Sequence, residues 1–200
     1  MKKFFFIICT VFLVLSNNSN LEELNVSRNE MLKHLHMNVT AITSIDVSSN
    51  PILETLHMSE HNISSINLNN NPALKHFYAE NGPLQEVYFF GSIGEENKNE
   101  NLEIVNVHHN QLTEVNISKL DSLKELIVGF NQLTSLDVSH NSVLERLWCA
   151  ENQLQALCDE FQQECPCDFR TAEGPAQEVI IKMAAQLEPD LLVLGTEELH

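Results

Sequence analysis

A triplet of apolar, variable and apolar residues recurs along most of this chain, at intervals that alternate between 11 and 10. Its members start at Leu24, Leu35, Ile45, Leu56, Ile66, Phe77, Val87, Val105, Val115, Leu126, Leu136 and Leu147, with Leu157 standing at the next interval. One interval, 18 residues from Val87 to Val105, breaks the alternation; it is an expected 11 lengthened by 7. Period-2 alternation makes each triplet a short strand with two side chains turned inward. Two segments form one 21-residue coil, and because a single coil cannot bury its apolar side, the coils must stack. The extra residues fall beside Gly91, Gly94 and a run of Glu and Asn. They predict an exposed loop near 90–100 that leaves the strand phase unchanged, since closing a longer loop costs little.

Five residues after the strand start the chain repeats an asparagine, at Asn29, Asn50, Asn71, Asn110, Asn131, Asn141 and Asn152. A side-chain amide there can satisfy backbone groups inside the turn, which an apolar residue cannot do. Thr40, His61, Gly82 and Leu120 interrupt the series. The pattern Leu123-x-x-Leu126-x-Val128-x-x-Asn131-x-Leu133, and the segment from Leu133 to Leu154, resemble the leucine-rich repeat family in its bacterial short form, a nested 21-residue unit. The resemblance covers residues 21–157. It implies a β-rich solenoid of short parallel strands with few helices, acting as an exported or surface-attached recognition scaffold.

Met1 to Ser16 pairs two lysines with an apolar run too short to cross a membrane as a helix, followed by a polar stretch. This is the anatomy of a signal peptide, 1–16, with Val14 and Ser16 at the −3 and −1 positions of cleavage. Its removal takes away Lys2 and Lys3 and no acidic residue, moving the net charge from −17 to −19. So acidic a chain is not expected to bind nucleic acid, because phosphate contacts require clustered Lys and Arg. Without Cys9 the cysteines number four: Cys149, Cys158, Cys165 and Cys167. In an exported chain they form disulfides or stay as inert thiols; their spacing lacks the paired C-x2-C of a closed zinc site.

The solenoid is expected over 17–157 and a cysteine-containing linker over 158–167. Residues 168–200 follow another grammar. Val179, Ile180, Met183, Ala184 and Leu187 fit one helix face after Pro175, and Asp190 to Gly195 reads as a short buried parallel strand. This piece resembles a fragment of the universal stress protein family, but Glu198 stands where that family's second phosphate-loop glycine belongs. Nucleotide binding is therefore not carried over, and no cofactor is expected. The tail is either a small α/β fragment of a fused or truncated chain, or a cap on the last coil.

In one strand series the residue between the two inward positions is His36, His57, Tyr78, Asn106, Ile127 or Trp148. Parity turns these toward solvent; the flanking outward positions are His34, Asn38, Thr55, Ser59, His76, Glu80, His108, Glu125 and Arg146, of which His34, His76 and His108 join the column. Those three and the six of the column together form the candidate ligand-binding stripe, on the face that the resemblance makes concave. The histidines read either as a metal site or a pH-sensitive contact surface, or as tolerated polar residues on an exposed strand. The other series carries Asn25, Asp46, Asn67, Tyr88, Asn116 and Asp137 and is expected to form a second ladder of strands. No Gly-x-Ser-x-Gly elbow or paired acid and base signature is present, and no metal site is expected. The sequence thus predicts a secreted or cell-surface, non-catalytic, monomeric module, without a membrane span, that binds a protein or a glycan. The alternative is a universal-stress-protein-like chain with a nucleotide-related C-terminal fragment.

Overall fold

The computed structural model describes residues 11–91, 99–154 and the short strand Leu192–Val193. Ten strands occur among them: β1 (Phe12–Val14), β2 (His34–His36), β3 (Thr55–His57), β4 (Ser65–Asn67), β5 (His76–Tyr78), β6 (Glu86–Tyr88), β7 (Ile104–Asn106), β8 (Glu125–Ile127), β9 (Arg146–Trp148) and β10 (Leu192–Val193). All pair in parallel. The main sheet has the order β1-β2-β3-β5-β7-β8-β9-β10, and β4-β6 forms a second, two-stranded sheet. No helix occurs among the described residues.

Each three-residue strand of the main sheet buries its central residue, and from β2 to β9 the next inward residue follows two positions on. Leu35, Leu56, Phe77, Val105, Leu126 and Leu147 form one buried column. Met37, Met58, Ala79, Val107, Val128 and Cys149 form the next. The register pairs Leu35 with Leu56 and Leu56 with Phe77, so a one-residue slip at any coil would bury polar residues and expose the apolar column. Cys149 is a free, buried thiol, and burial pushes its pKa up to about 11.

The asparagines lie buried between coils. Asn131 donates through Nδ2 to the carbonyls of Val107, Val128 and Gly129, and its Oδ1 accepts from the Leu112 amide at 3.0 Å. Asn110 and Asn152 repeat the arrangement with the amides of Leu84 and Leu133. On the opposite side of the coil Asn50, Asn71 and Asn141 donate to carbonyls 21 and 24 residues back. Asn99 also belongs to this rung: fully buried, it donates to the carbonyls of Leu68 and Phe89. It stands 12 residues after Val87 instead of 5, so the insertion hides it from a fixed-offset count. Leu120 fills the next place in the rung as a buried side chain, and its carbonyl still accepts from Asn141.

Two interruptions of the other rung compensate each other. The His61 ring lies over Gly82, so that a Cβ on Gly82 would meet ring atoms at 2.4 Å. The Ile63 amide donates to His61 Nδ1 at 3.1 Å, and burial holds the imidazole pKa below its ordinary value. Gly82→Ala is therefore expected to destabilise the fold by about 1–3 kcal/mol through overpacking. Adding His61→Ala should recover part of that loss, and urea denaturation of the double-mutant cycle measures the coupling.

The second ladder differs from expectation. Only Asn67 and Tyr88 lie in strands; Asn25, Asp46, Asn116 and Asp137 do not, and their side-chain oxygens accept the amide two residues on at 2.9–3.2 Å, as that of Asn67 also does. An Asx side chain offers the backbone a local partner that competes with a sheet ladder.

Several expectations lie largely or wholly outside the described residues: the leader through residue 10, most of the 90–100 loop, the 158–167 linker with its cysteines, and the 168–200 helix. Two segments at the margins are described. Leu192–Val193 pairs with Arg146 and Leu147 of β9, at the end of the sheet. Phe12–Val14 pairs with His34–His36 and buries Leu13, so the end of the expected leader forms a rung of the uncleaved solenoid.

Candidate functional site

The concave face is the outer surface of the main sheet. Register places His36, His57, Tyr78, Asn106, Ile127 and Trp148 in one column, one per coil. All six are half-buried rather than free in solvent, because each leans on its neighbour. The His36 and His57 rings meet edge-on at 5.5 Å, and His57 lies 5.1 Å from Tyr78. His76 adds a ring 6.4 Å from Tyr78 on the same strand, and Phe12 of β1 packs against His34 and His36 at 4.9 and 5.1 Å.

A second aromatic group lies toward β9. His108 stacks on Trp148 at 5.7 Å, reaching across the coil of Gly129, where a Cβ would stand 3.4 Å from the indole. His109 stacks on Phe130 at 4.0 Å with the rings 7° from parallel, and Phe130 meets Trp148 edge-on. Phe12, His109 and Phe130 were not singled out in the sequence. His109 and Phe130 immediately precede a rung asparagine, and this position is a readable signal: with Val39, Glu60, Asn81 and Glu151 they hold φ between 52° and 57°.

Between the aromatic groups runs a polar chain. His57 Nε2 lies 3.0 Å from Ser59 Oγ, and Ser59 donates to Glu80 Oε2. From the other side Asn106 Nδ2 donates to Glu80 Oε1 at 2.8 Å, and His108 Nδ1 lies 2.9 Å from Asn106 Oδ1. Burial raises the Glu80 pKa and lowers that of His57. Burial also lowers His36, with repulsion from His57 and His34, and His108, with repulsion from His109. Burial thus disfavours the charged form of His36, His57 and His108. The order of partners differs from a serine-nucleophile triad, in which the acid orients histidine and histidine takes the serine proton. Here the serine is bonded directly to the acid. Among the described residues no three His, Cys, Asp or Glu side chains converge as they would around a metal ion.

Ion pairs line the margin of this face, each joining adjacent coils: Lys33 and Lys75 with Glu54 at 2.8 and 3.1 Å, Lys124 with Glu103 at 2.8 Å, and Arg146 with Glu125 at 2.9 Å. Hydrogen bonds from Lys33 and Lys75 hold the Glu54 carboxyl down to about 2. Its contribution to stability is present above the ordinary value of 4.5 and is lost as pH falls toward 2. An NMR titration should find Glu54 near pH 2, and Lys33→Ala with Lys75→Ala should return it to the ordinary range. A separate cleft of about 700 Å³ opens on another flank, lined by Gln85, Glu86, Tyr88, Phe90, Glu114 and Lys119 among others, and contains none of the nine residues predicted for the stripe.

No family model and no curated protein matches the chain. Solved structures do. The functional domain of InlJ from Listeria monocytogenes, described as including a cysteine ladder, is 29% identical with a TM-score of 0.60, over 73% of this chain and 31% of that one. An internalin of the same bacterium, InlF, is 22% identical with a TM-score of 0.50, over 72% and 48% of the two chains. A leucine-rich repeat protein of Leptospira interrogans is 18% identical with a TM-score of 0.59, over 68% and 36%. The last two speak to the fold alone. This chain spans between a third and a half of the length of these solved chains, and among its described residues Cys149 is the single cysteine, with no ladder around it. None of these comparisons supports the universal stress protein resemblance of the tail. The repeat rhythm, the parallel stacked coils and these neighbours agree: the described part of the chain is a leucine-rich repeat β-solenoid, similar in fold to those of these bacterial proteins.

Proposed function

We propose that this chain is an exported, non-catalytic and monomeric binding module that presents its concave sheet to a protein partner, with a glycan as the other ligand class. One observation carries the reading: half-buried rings from His36 through Tyr78, and again from His108 through Trp148, lie on the outer face of a sheet whose inner face is fully packed. Aromatic side chains with one face in contact and one face open are the residues that most often anchor interfaces. The bacterial leucine-rich repeat neighbours support the same reading. The leader, Met1 to Ser16, supports export.

The test selects binders from a displayed peptide pool and a glycan array with the full chain as bait. Tyr78→Ala and Trp148→Ala together should weaken the selected binders at least tenfold while the midpoint of thermal unfolding shifts by only a few degrees. The array that yields binders names the ligand class. Binders indifferent to both substitutions overturn the concave-face reading.

A further inference from the structure

Three carboxylates of this face are matched with a base from an adjacent coil. Glu54, Glu103 and Glu125 each hold a lysine or arginine from an adjacent coil at 2.8–3.1 Å. Glu80 does not. Its side chain is the least exposed of the four, at 13% against 25%, 37% and 22%, and its basic neighbour among the described residues is His57, 3.9 Å away.

The hydrogen-bond directions show which state of Glu80 the surroundings fit. Ser59 donates its proton to the carboxylate, so the oxygen of Ser59 must accept from His57 Nε2–H. Asn106 donates its amide to the other carboxylate oxygen, so its Oδ1 is free to accept from His108 Nδ1–H. Two donor chains thus converge on one carboxylate, each starting from an imidazole whose charged form burial disfavours. The arrangement stabilises a negative charge but brings no positive charge to it. The Glu80 backbone amide also reaches the carboxylate, which keeps a free lone pair beyond these donors. A desolvated anion without a counter-ion is costly, and the cost is relieved when a cation docks.

Resting on the concave face as the binding surface, we infer that its centre takes a basic side chain of the partner protein, an arginine or lysine whose cation pairs with Glu80 between the Tyr78 ring and the His108–Trp148 stack. Tyr78 lies close enough to feel the Glu80 charge, and a cation seated there would meet both the carboxylate and an aromatic face. A guanidinium brings directional donors as well as charge to such a carboxylate. The net charge of −17 steers basic partners toward the molecule and acidic ones away.

The experiment titrates the isotopically labelled full chain, by NMR at pH 7 and low salt, with N-acetyl-arginine amide and with its neutral isostere N-acetyl-citrulline amide. The arginine probe should shift the Ser59 and Glu80 backbone signals and the Asn106 side-chain amide saturably, with a dissociation constant of roughly millimolar order. The citrulline probe should bind at least tenfold more weakly, and Glu80→Gln should abolish the difference. Ser59→Ala leaves the charge in place and frees a lone pair, so it should bind the arginine probe at least as tightly as the parent. A purely structural Glu80 would not produce that result. Equal shifts from both probes, or arginine binding indifferent to Glu80→Gln, overturn the inference. Failure of the concave-face reading looks different. Selected peptides lacking Arg and Lys that lose binding in Tyr78→Ala but keep it in Glu80→Gln would leave that reading intact and remove the cation. Peptides indifferent to Tyr78→Ala and Trp148→Ala would remove the reading itself.

Discussion

Replacing Asn131 with alanine should destabilise the solenoid by about 3 kcal/mol or more. The side chain is buried and makes four hydrogen bonds, three as donor to Val107, Val128 and Gly129 and one as acceptor from Leu112. Alanine leaves the Leu112 amide and several carbonyls stranded away from water, and each stranded buried group costs about 1–3 kcal/mol. The damage also spans two coils, because Leu112 and Val107 belong to the coil before Asn131. Urea denaturation should show a lower midpoint and, in a stacked array, a loss of cooperativity at this interface. A loss below about 1 kcal/mol would mean that water replaces the side chain and that the rung is not closed.

A chain that begins at Asn17, as cleavage after Ser16 would leave it, should lose most of the amide exchange protection of β2. Without β1 the His36 carbonyl loses the Leu15 amide, and the amides of Lys33 and His34 lose the Val11 carbonyl. Leu13 no longer covers the end of the Leu35 column. Burying a leucine is worth about 1.5–3 kcal/mol, so protection at Leu35 and His36 should drop about tenfold to a hundredfold. Strands β5 to β8 should be unaffected, since each coil touches only its neighbours. Unchanged protection at β2 would show that β1 does not complete the sheet in solution.

How much of this was legible in the sequence depended on which force fixed each residue. The core columns and the register were readable because apolar burial writes a period directly into the sequence: Leu35, Leu56, Phe77 and Val105 are apolar in every coil. Most of the asparagine rung was readable at a fixed offset, and Asn99 was not, since seven added residues displace it along the chain but not in space. The strands expected at Asn25, Asp46, Asn116 and Asp137 did not form. Parity is the same in a strand and in an extended turn, and the side-chain oxygen bonding two residues ahead does not separate them either, since Asn67 makes that bond inside β4. The histidine column was placed by parity alone. The polar chain through Ser59, Glu80 and Asn106 required knowing which atoms of three coils meet, and no single-coil pattern contains that information.

The left-handed turns bear on how such a molecule can change its specificity over generations. At Val39, Glu60, Asn81, His109 and Phe130 the amide reaches the carbonyl of the following coil, at Ser59, Glu80, His108, Gly129 and Ala150, and this bond accompanies the unusual φ. The conformation recurs from coil to coil, and an aliphatic, an acid, an amide, an imidazole and a phenyl ring all occupy it. Chemical identity at this position is thereby separated from backbone shape. The row runs along the rim of the sheet, where His109 and Phe130 already stack beside Trp148. It offers a line of sites at which substitutions can redraw the recognition surface while the scaffold beneath stays the same, much as variable loops do on a fixed framework.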